Sequence, residues 1–191
     1  MPKEIELKAH VKDWQALLNQ LRQSNFISNE KYEEKKDIYF FNPLINQSFR
    51  VRKETFTDSN KKILKNTIFT VKEKVLENGI ETNREVELDL DFNKFDSSIE
   101  FFESMGFRQT INKDKKGYSF DFSYFETPLH IELLKVNSLG WFFEIEFIVD
   151  EQTDKKECDL LVQYLYKTLD YFNISHDDIE MKYYSQLIEE S

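Results

Sequence analysis

Six stretches of this chain alternate apolar side chains with charged or polar ones at a period of two. They are Glu4-Ile5-Glu6-Leu7-Lys8, Phe49-Arg50-Val51-Arg52, Phe69-Thr70-Val71-Lys72, Glu85-Val86-Glu87-Leu88-Asp89, His130-Ile131-Glu132-Leu133 and Phe143-Glu144-Ile145-Glu146-Phe147. Successive side chains of an extended backbone point to opposite sides of a sheet, so each stretch predicts a strand with one apolar and one charged face. Helical spacing appears between them. Trp14, Leu17, Leu18 and Leu21 fall at i, i+3, i+4 and i+7, and Leu161, Tyr164, Leu165, Thr168 and Leu169 make a second stripe. Ser97 and Glu100 have capping-box spacing before Phe101, and Gly106 is placed to end that helix. A last helix is expected from about Asp177 onward.

Shifting the sequence by 81 positions lays Glu85-Val86-Glu87-Leu88 on Glu4-Ile5-Glu6-Leu7, Phe95 on Trp14, Ile99 on Leu18 and Phe102 on Leu21. Each half then reads strand, helix, three strands: near 4–11, 13–25, 32–41, 48–54 and 66–75, and near 83–91, 96–106, 110–122, 126–135 and 142–149. A degenerate duplication and a coincidence of amphipathic patterns both account for these matches. Eighteen Phe, 9 Tyr and 40% hydrophobic residues among 191 supply a core, while 4 Gly and 3 Pro leave little for a flexible linker. One domain over 1–191 is expected, with approximate halves 1–80 and 81–191.

The formal charge, 26 basic against 36 acidic residues, is −10, which argues against a general nucleic-acid or anionic-membrane binder. Met1–Lys8 carries charges where a signal peptide needs an apolar run, and Trp141–Val149 is too short and too acidic to cross a bilayer. Cys158 is the only cysteine, so no internal disulfide forms, and a cytoplasmic location is expected.

On an open sheet the charged faces would meet water. Taken together, however, carboxylates cluster on some strands and cations on others, and a closed sheet would line one cavity with both signs, each offsetting the desolvation of the other. Glu4 and Glu6 share a face, as do Glu85 and Glu87, and Glu144 and Glu146. Oxygen-only sets of this kind suit Mg²⁺ or Mn²⁺. Lys8, Arg50 with Arg52, Lys72 with Lys74, and Lys113 with Lys115 supply the cations that phosphoryl chemistry needs on its non-bridging oxygens.

Glu4-Ile5-Glu6-Leu7-Lys8 resembles the N-terminal ExExK signature of the CYTH, or triphosphate tunnel metalloenzyme, superfamily. Further segments follow in order: Phe49-Arg50-Val51-Arg52 resembles its LRxR strand, Thr70-Val71-Lys72 its TxK strand, Arg84-Glu85-Val86-Glu87 its RExE strand, and Leu139-Gly140-Trp141-Phe142-Phe143-Glu144-Ile145-Glu146 its LGxFxEIE ending. The resemblance implies an α+β fold, an eight-stranded antiparallel tunnel barrel with helices outside. It implies Glu6 and Glu146 as principal metal ligands, with Glu4, Glu144 and Glu87 assisting. Lys8, Arg50, Arg52, Lys72, Lys113 and Lys115 would hold the phosphates, and Lys8, Arg52 and Glu132 would form the catalytic set, Glu132 orienting a cation or water.

The activity so implied is a class IV adenylyl cyclase, ATP giving cyclic AMP and pyrophosphate. The alternative is a triphosphatase acting on tripolyphosphate, thiamine triphosphate or a nucleotide. A non-catalytic polyphosphate or nucleotide sensor and an acidic scaffold are the rival classes, and a homodimer is compatible with the resemblance. Departures from the family pattern leave the substrate open: Lys115 where Arg is common, Glu73 where Gly is frequent, and about two extra residues between Glu132 and Leu139.

Other features have simpler readings. His10, His130 and His176 lack ligand spacing, although His130 shares a face with Glu132 and is a minor candidate for proton transfer. Cys158 reads as buried filler, Lys61, Lys62 and Lys65 as a solvated hairpin that could also guard a tunnel mouth, and Tyr39-Phe40-Phe41 as strand core. No P-loop or dinucleotide-binding glycine pattern exists.

Overall fold

A computed structural model describes residues 2–191. Eight antiparallel strands close into a barrel: β1 (Pro2–Val11), β2 (Ile27–Asn42), β3 (Gln47–Asp58), β4 (Ile63–Glu77), β5 (Ile80–Leu90), β6 (Arg108–Phe122), β7 (Leu129–Val136) and β8 (Gly140–Asp150). Helices α1 (Trp14–Gln23), α2 (Phe95–Ser104), α3 (Lys155–Tyr171) and α4 (Tyr184–Glu190) complete the described residues. Around the ring the order is β1-β5-β4-β3-β2-β6-β7-β8. Exchanging β1 to β4 with β5 to β8 returns the same ring read in the opposite sense. The two strand-helix-three-strand halves are therefore related by a topological two-fold.

The alternation read from the sequence sets which way each strand faces. Ile5, Leu7 and Ala9 of β1 and Phe143, Ile145 and Phe147 of β8 point outward, and α1 and α3 lay Leu17, Leu18, Leu21, Leu161, Leu165 and Leu169 over them. A smaller aromatic cluster of Phe40, Phe49, Phe95 and Phe102 lies under α2. The core is thus outside the barrel and the charge inside it, the reverse of a barrel filled by apolar side chains. Asp13 and Asp154 accept from Ala16 N and Glu157 N to cap α1 and α3, at 3.0 and 2.8 Å. Asn78 and Gly79, both at positive φ, close the two-residue turn between β4 and β5.

Two expectations are corrected. The Ser97 and Glu100 capping box does not form: a 3-10 turn over Phe92–Lys94 runs straight into α2, so the chain is already helical at Ser97, whose hydroxyl donates instead to Lys94 O at 3.1 Å. Gly106, at φ 87, does follow the end of α2, its amide donating to Glu103 O. The last helix begins at Tyr184 rather than near Asp177. Ile179 bridges to Ala9 and Glu180 N donates to Lys8 O at 2.9 Å, so β1 takes the backbone that a longer helix would have used.

Gly117 marks the tightest approach in the wall. A Cβ built there would lie 2.2 Å from Leu133 O and 3.1 Å from Trp141, and the backbone oxygen cannot swing aside. Gly117→Ala is expected to destabilise the fold by about 1–3 kcal/mol or more, read as a lower urea midpoint with an unchanged slope.

Candidate active site

The inward faces of the strands enclose a cavity of about 370 Å³. In the ring of eight, β2 stands four strands from β1, so the cations of β2, β3 and β6 oppose the carboxylates of β1 and β8.

On the basic side the organising residue is Asp37, fully buried on β2. Arg52 donates to its two oxygens at 2.7 and 3.0 Å, Lys113 lies 3.2 Å away and Arg50 reaches it at 4.0 Å. Burial works against this carboxylate, yet Arg52, Lys113 and Arg50 hold its pKa well below the usual range. Arg50 also donates to Thr70 at 2.8 Å, and Thr70 in turn to Glu87 at 3.0 Å. Tyr39 accepts from Lys113 at 3.0 Å; burial would raise its pKa, but Lys113 brings it down to about 8. Tyr39 is thus a wall residue, while its neighbour Phe40 packs in the outer core as expected.

On the acidic side, two pairs of carboxylates stand directly opposite each other across strands. Glu132 on β7 faces Glu144 on β8, and Glu6 on β1 faces Glu146 on β8. Like charges so placed repel. Lys115 resolves the first pair, 2.6 Å from Glu144 and 3.8 Å from Glu132, with Lys35 also on Glu132 and the Tyr184 hydroxyl donating to Glu144 at 2.9 Å. No lysine or arginine among the described residues lies within ion-pair distance of Glu6 or Glu146, Lys72 reaching Glu4 instead. Ligand atoms of Glu4, Glu6 and Glu146 all lie within 4.8 Å of one another. Burial first, then repulsion from Glu4, pushes Glu146 up to about 8. Three convergent oxygen donors, met by one lysine that Glu4 shares with Glu85, fit a hard divalent cation.

Lys72 lies 3.0 Å from Glu4 and pairs also with Glu85. Although burial opposes it, Lys72 lowers the Glu85 pKa to about 2. At the end of the tunnel next to α4, Lys8 is buried against Glu81, its Nζ 5.4 Å from the Tyr184 ring centroid.

No protein-family model matches the chain, and no curated protein matches it. Solved structures do. A conserved hypothetical protein from Pyrococcus furiosus is 26% identical, with TM-score 0.68 over 97% of this chain and 99% of its own. A candidate adenylate cyclase from Vibrio parahaemolyticus is 23% identical, with TM-score 0.67 over 97% of both chains. A candidate adenylyl cyclase from Hippeastrum, described as having a dominant triphosphatase activity, is 14% identical, with TM-score 0.66 over 100% of this chain and 96% of its own. The chain has the CYTH-like triphosphate-tunnel fold.

The tunnel brings most of the sequence-derived set into one cavity: Glu4, Glu6, Arg50, Arg52, Lys72, Glu87, Lys113, Lys115, Glu132, Glu144 and Glu146 all line it. Within that set the roles divide. Glu144 is held by Lys115 and Tyr184, and Glu87 on β5 turns to Arg50 at 3.6 Å and Thr70 at 3.0 Å, so neither joins the Glu4, Glu6 and Glu146 triad. Lys8 does not line the open cavity. The sequence reading passed over Lys35, Asp37, Glu54 and Glu81 in the tunnel wall and Tyr184 at its end. His130, on β7 opposite Glu146, does face the cavity; burial would lower its pKa, but its bond to Glu132 raises it to about 9.

A carboxyl that is more basic when folded holds its proton more tightly in the native state. The Glu146 contribution to stability is therefore full below its ordinary 4.5 and is lost as pH rises through about 8. Melting in EDTA is expected to weaken across that window, Mn²⁺ to restore stability at its upper end, and Glu146→Gln to flatten the profile.

Proposed function

We propose that the protein is a divalent-cation-dependent enzyme that binds a triphosphate in the tunnel and breaks one of its phosphoanhydride bonds. What carries this reading is the opposition of two sets across one cavity: Arg50, Arg52 and Lys113 fixed by Asp37, and the convergent carboxylates Glu4, Glu6 and Glu146, whose one ion-paired protein cation among the described residues is the Lys72 that Glu4 shares with Glu85. The Arg52 fork is already oriented by its two hydrogen bonds to Asp37, so little side-chain entropy is lost when phosphate oxygens arrive. Arg50, Lys113 and Lys35 present further fixed charge to the non-bridging oxygens, where negative charge grows as the leaving group departs. Glu4, Glu6 and Glu146 would hold Mg²⁺ or Mn²⁺, which when bound supplies Lewis-acid charge to those oxygens. Glu132, paired with Lys35 and 3.8 Å from Lys115, would orient these two cations.

The finer reading is cyclisation of ATP to 3′,5′-cyclic AMP and pyrophosphate, favoured by the Glu4-to-Lys8 start and the Leu139-to-Glu146 ending. Hydrolysis of a triphosphate to orthophosphate is the second. Either takes place within a single tunnel domain over residues 1–191, and the lone Cys158 supports a cytoplasmic setting. Among the described residues, no helix is long and apolar enough to cross a membrane. Incubation with ATP or tripolyphosphate plus Mg²⁺ or Mn²⁺, followed by anion-exchange separation, tests the proposal. Cyclic AMP with pyrophosphate is expected from the wild type and not from Glu146→Ala, and Arg52→Ala should lose about 10²-fold or more in kcat/KM. Orthophosphate would identify a triphosphatase, and binding without any product would overturn the enzymatic reading in favour of a sensor.

Val71, Val86 and Leu88, on the outer face of β4 and β5, are each a little over half exposed. An apolar strip of this kind supports a homodimer through that face. Light scattering is expected to give twice the chain mass, and Val86→Lys to return it to the monomer.

A further inference from the structure

Glu54 is the tunnel carboxylate that the phosphate and metal sets leave unused. It is 5% exposed on β3, and its hydrogen bond comes from the Asn66 amide at 3.3 Å. Glu33, Asp37, Glu81, Glu85, Glu132 and Glu144 each have an ammonium or guanidinium partner. Glu54 has none within ion-pair distance among the described residues. Burial raises its pKa, so the group gains from any donor brought to it. An inorganic phosphate chain brings none and would be repelled.

Phe56 follows on the same face. It and Ile68 are the two lining side chains that carry no polar atom. Phe56 is the cross-strand partner of Leu64, and Ile68 that of Arg52, so all four side chains turn to the tunnel side of β3 and β4. Leu64 is 48% exposed there. The ammonium groups of Lys35 and Lys31 lie 5.7 and 5.9 Å from the Phe56 ring centroid, within cation–π range, and steady the ring against the wall.

Along the inner face of β3 the order is therefore Arg50, Arg52, Glu54, Phe56, each step about 6.6 Å and the distance from Arg52 to Phe56 about 13 Å. Two phosphate-binding cations lead to a hydrogen-bond acceptor and then to an aromatic ring with an apolar neighbour. A nucleoside triphosphate has its phosphates, sugar hydroxyls and base in the same order. We propose that Glu54, Phe56 and Leu64 form the subsite for the nucleoside of a nucleoside triphosphate, Glu54 accepting from a ribose hydroxyl and Phe56 offering its ring to the base. This inference rests on the tunnel binding a triphosphate through Arg50 and Arg52.

Calorimetric titration of wild type, Phe56→Leu, Phe56→Ala and Glu54→Gln with a non-hydrolysable ATP analogue and with tripolyphosphate tests it. Phe56→Leu keeps the wall apolar, and its melting temperature reports that the fold is intact. Both Phe56 variants are expected to bind the nucleotide about 5- to 150-fold more weakly, the range spanned by one lost base-aromatic stack, and tripolyphosphate within about twofold of wild type. Glu54→Gln is expected to move the ligands in opposite directions, weakening the nucleotide and strengthening tripolyphosphate. Equal losses for both ligands, or a wild type that binds tripolyphosphate but not the nucleotide, would overturn this subsite alone. A wild type that binds neither would overturn the tunnel reading and the subsite with it.

Discussion

The enclosed charge of the tunnel is the constraint on which the rest of the molecule depends. Carboxylates and ammonium groups removed from water cost far more than they return unless each is met by a partner at close range. Arg52 against Asp37 at 2.7 Å, Lys115 against Glu144 at 2.6 Å and Lys113 against Asp37 at 3.2 Å are such meetings, and each joins neighbouring or next-neighbouring strands. An interior of this kind cannot also be an apolar core. The strands must bury their other faces outside, which is why α1 and α3 wrap β1 and β8 and why α2 brings an aromatic cluster to β2 and β3.

The same constraint separates residues that the sequence presents as equivalent. Glu144 and Glu146 are two residues apart on one face of β8, yet one is clamped by Lys115 and Tyr184 while the other faces Glu6 and His130. Strand parity puts both in the lumen. Which of them receives a protein cation depends on what the next strands around the ring present, Lys115 of β6 in the case of Glu144, and no spacing rule along a single strand carries that. The excess negative charge therefore collects at Glu4, Glu6 and Glu146 and not evenly over the acidic wall.

The strands of the barrel were legible because most of them pair a charged lumen face with a plainly apolar outer one, as Glu4, Glu6 and Lys8 alternate with Ile5 and Leu7. The first half of β2 hid its contribution because its outer face is polar too: Tyr32, Glu34 and Lys36 alternate with Glu33, Lys35 and Asp37, so neither set announces which way it points. Asp37, the organising carboxylate of the basic side, was lost for that reason. Tyr184 was missed for a different one. Its place follows from the extended segment before α4, where Ile179 and Glu180 join β1 through backbone bonds that leave no periodic trace.

The ring order has a consequence for how the molecule is made. β1 pairs with β8 along its whole length and with β5 on its other side, so a strand begun within the first dozen residues waits for one that starts at Gly140. Until β8 emerges, β1 offers an open edge and the half-built lumen stands exposed to water with its ion pairs incomplete. Closing so distant a pair is slow compared with forming hairpins, and unpaired edges invite association with other chains. A sheet that lacks β8 is thus gapped and hydrated, and the seam that closes it is the one that brings Glu6 and Glu146 together.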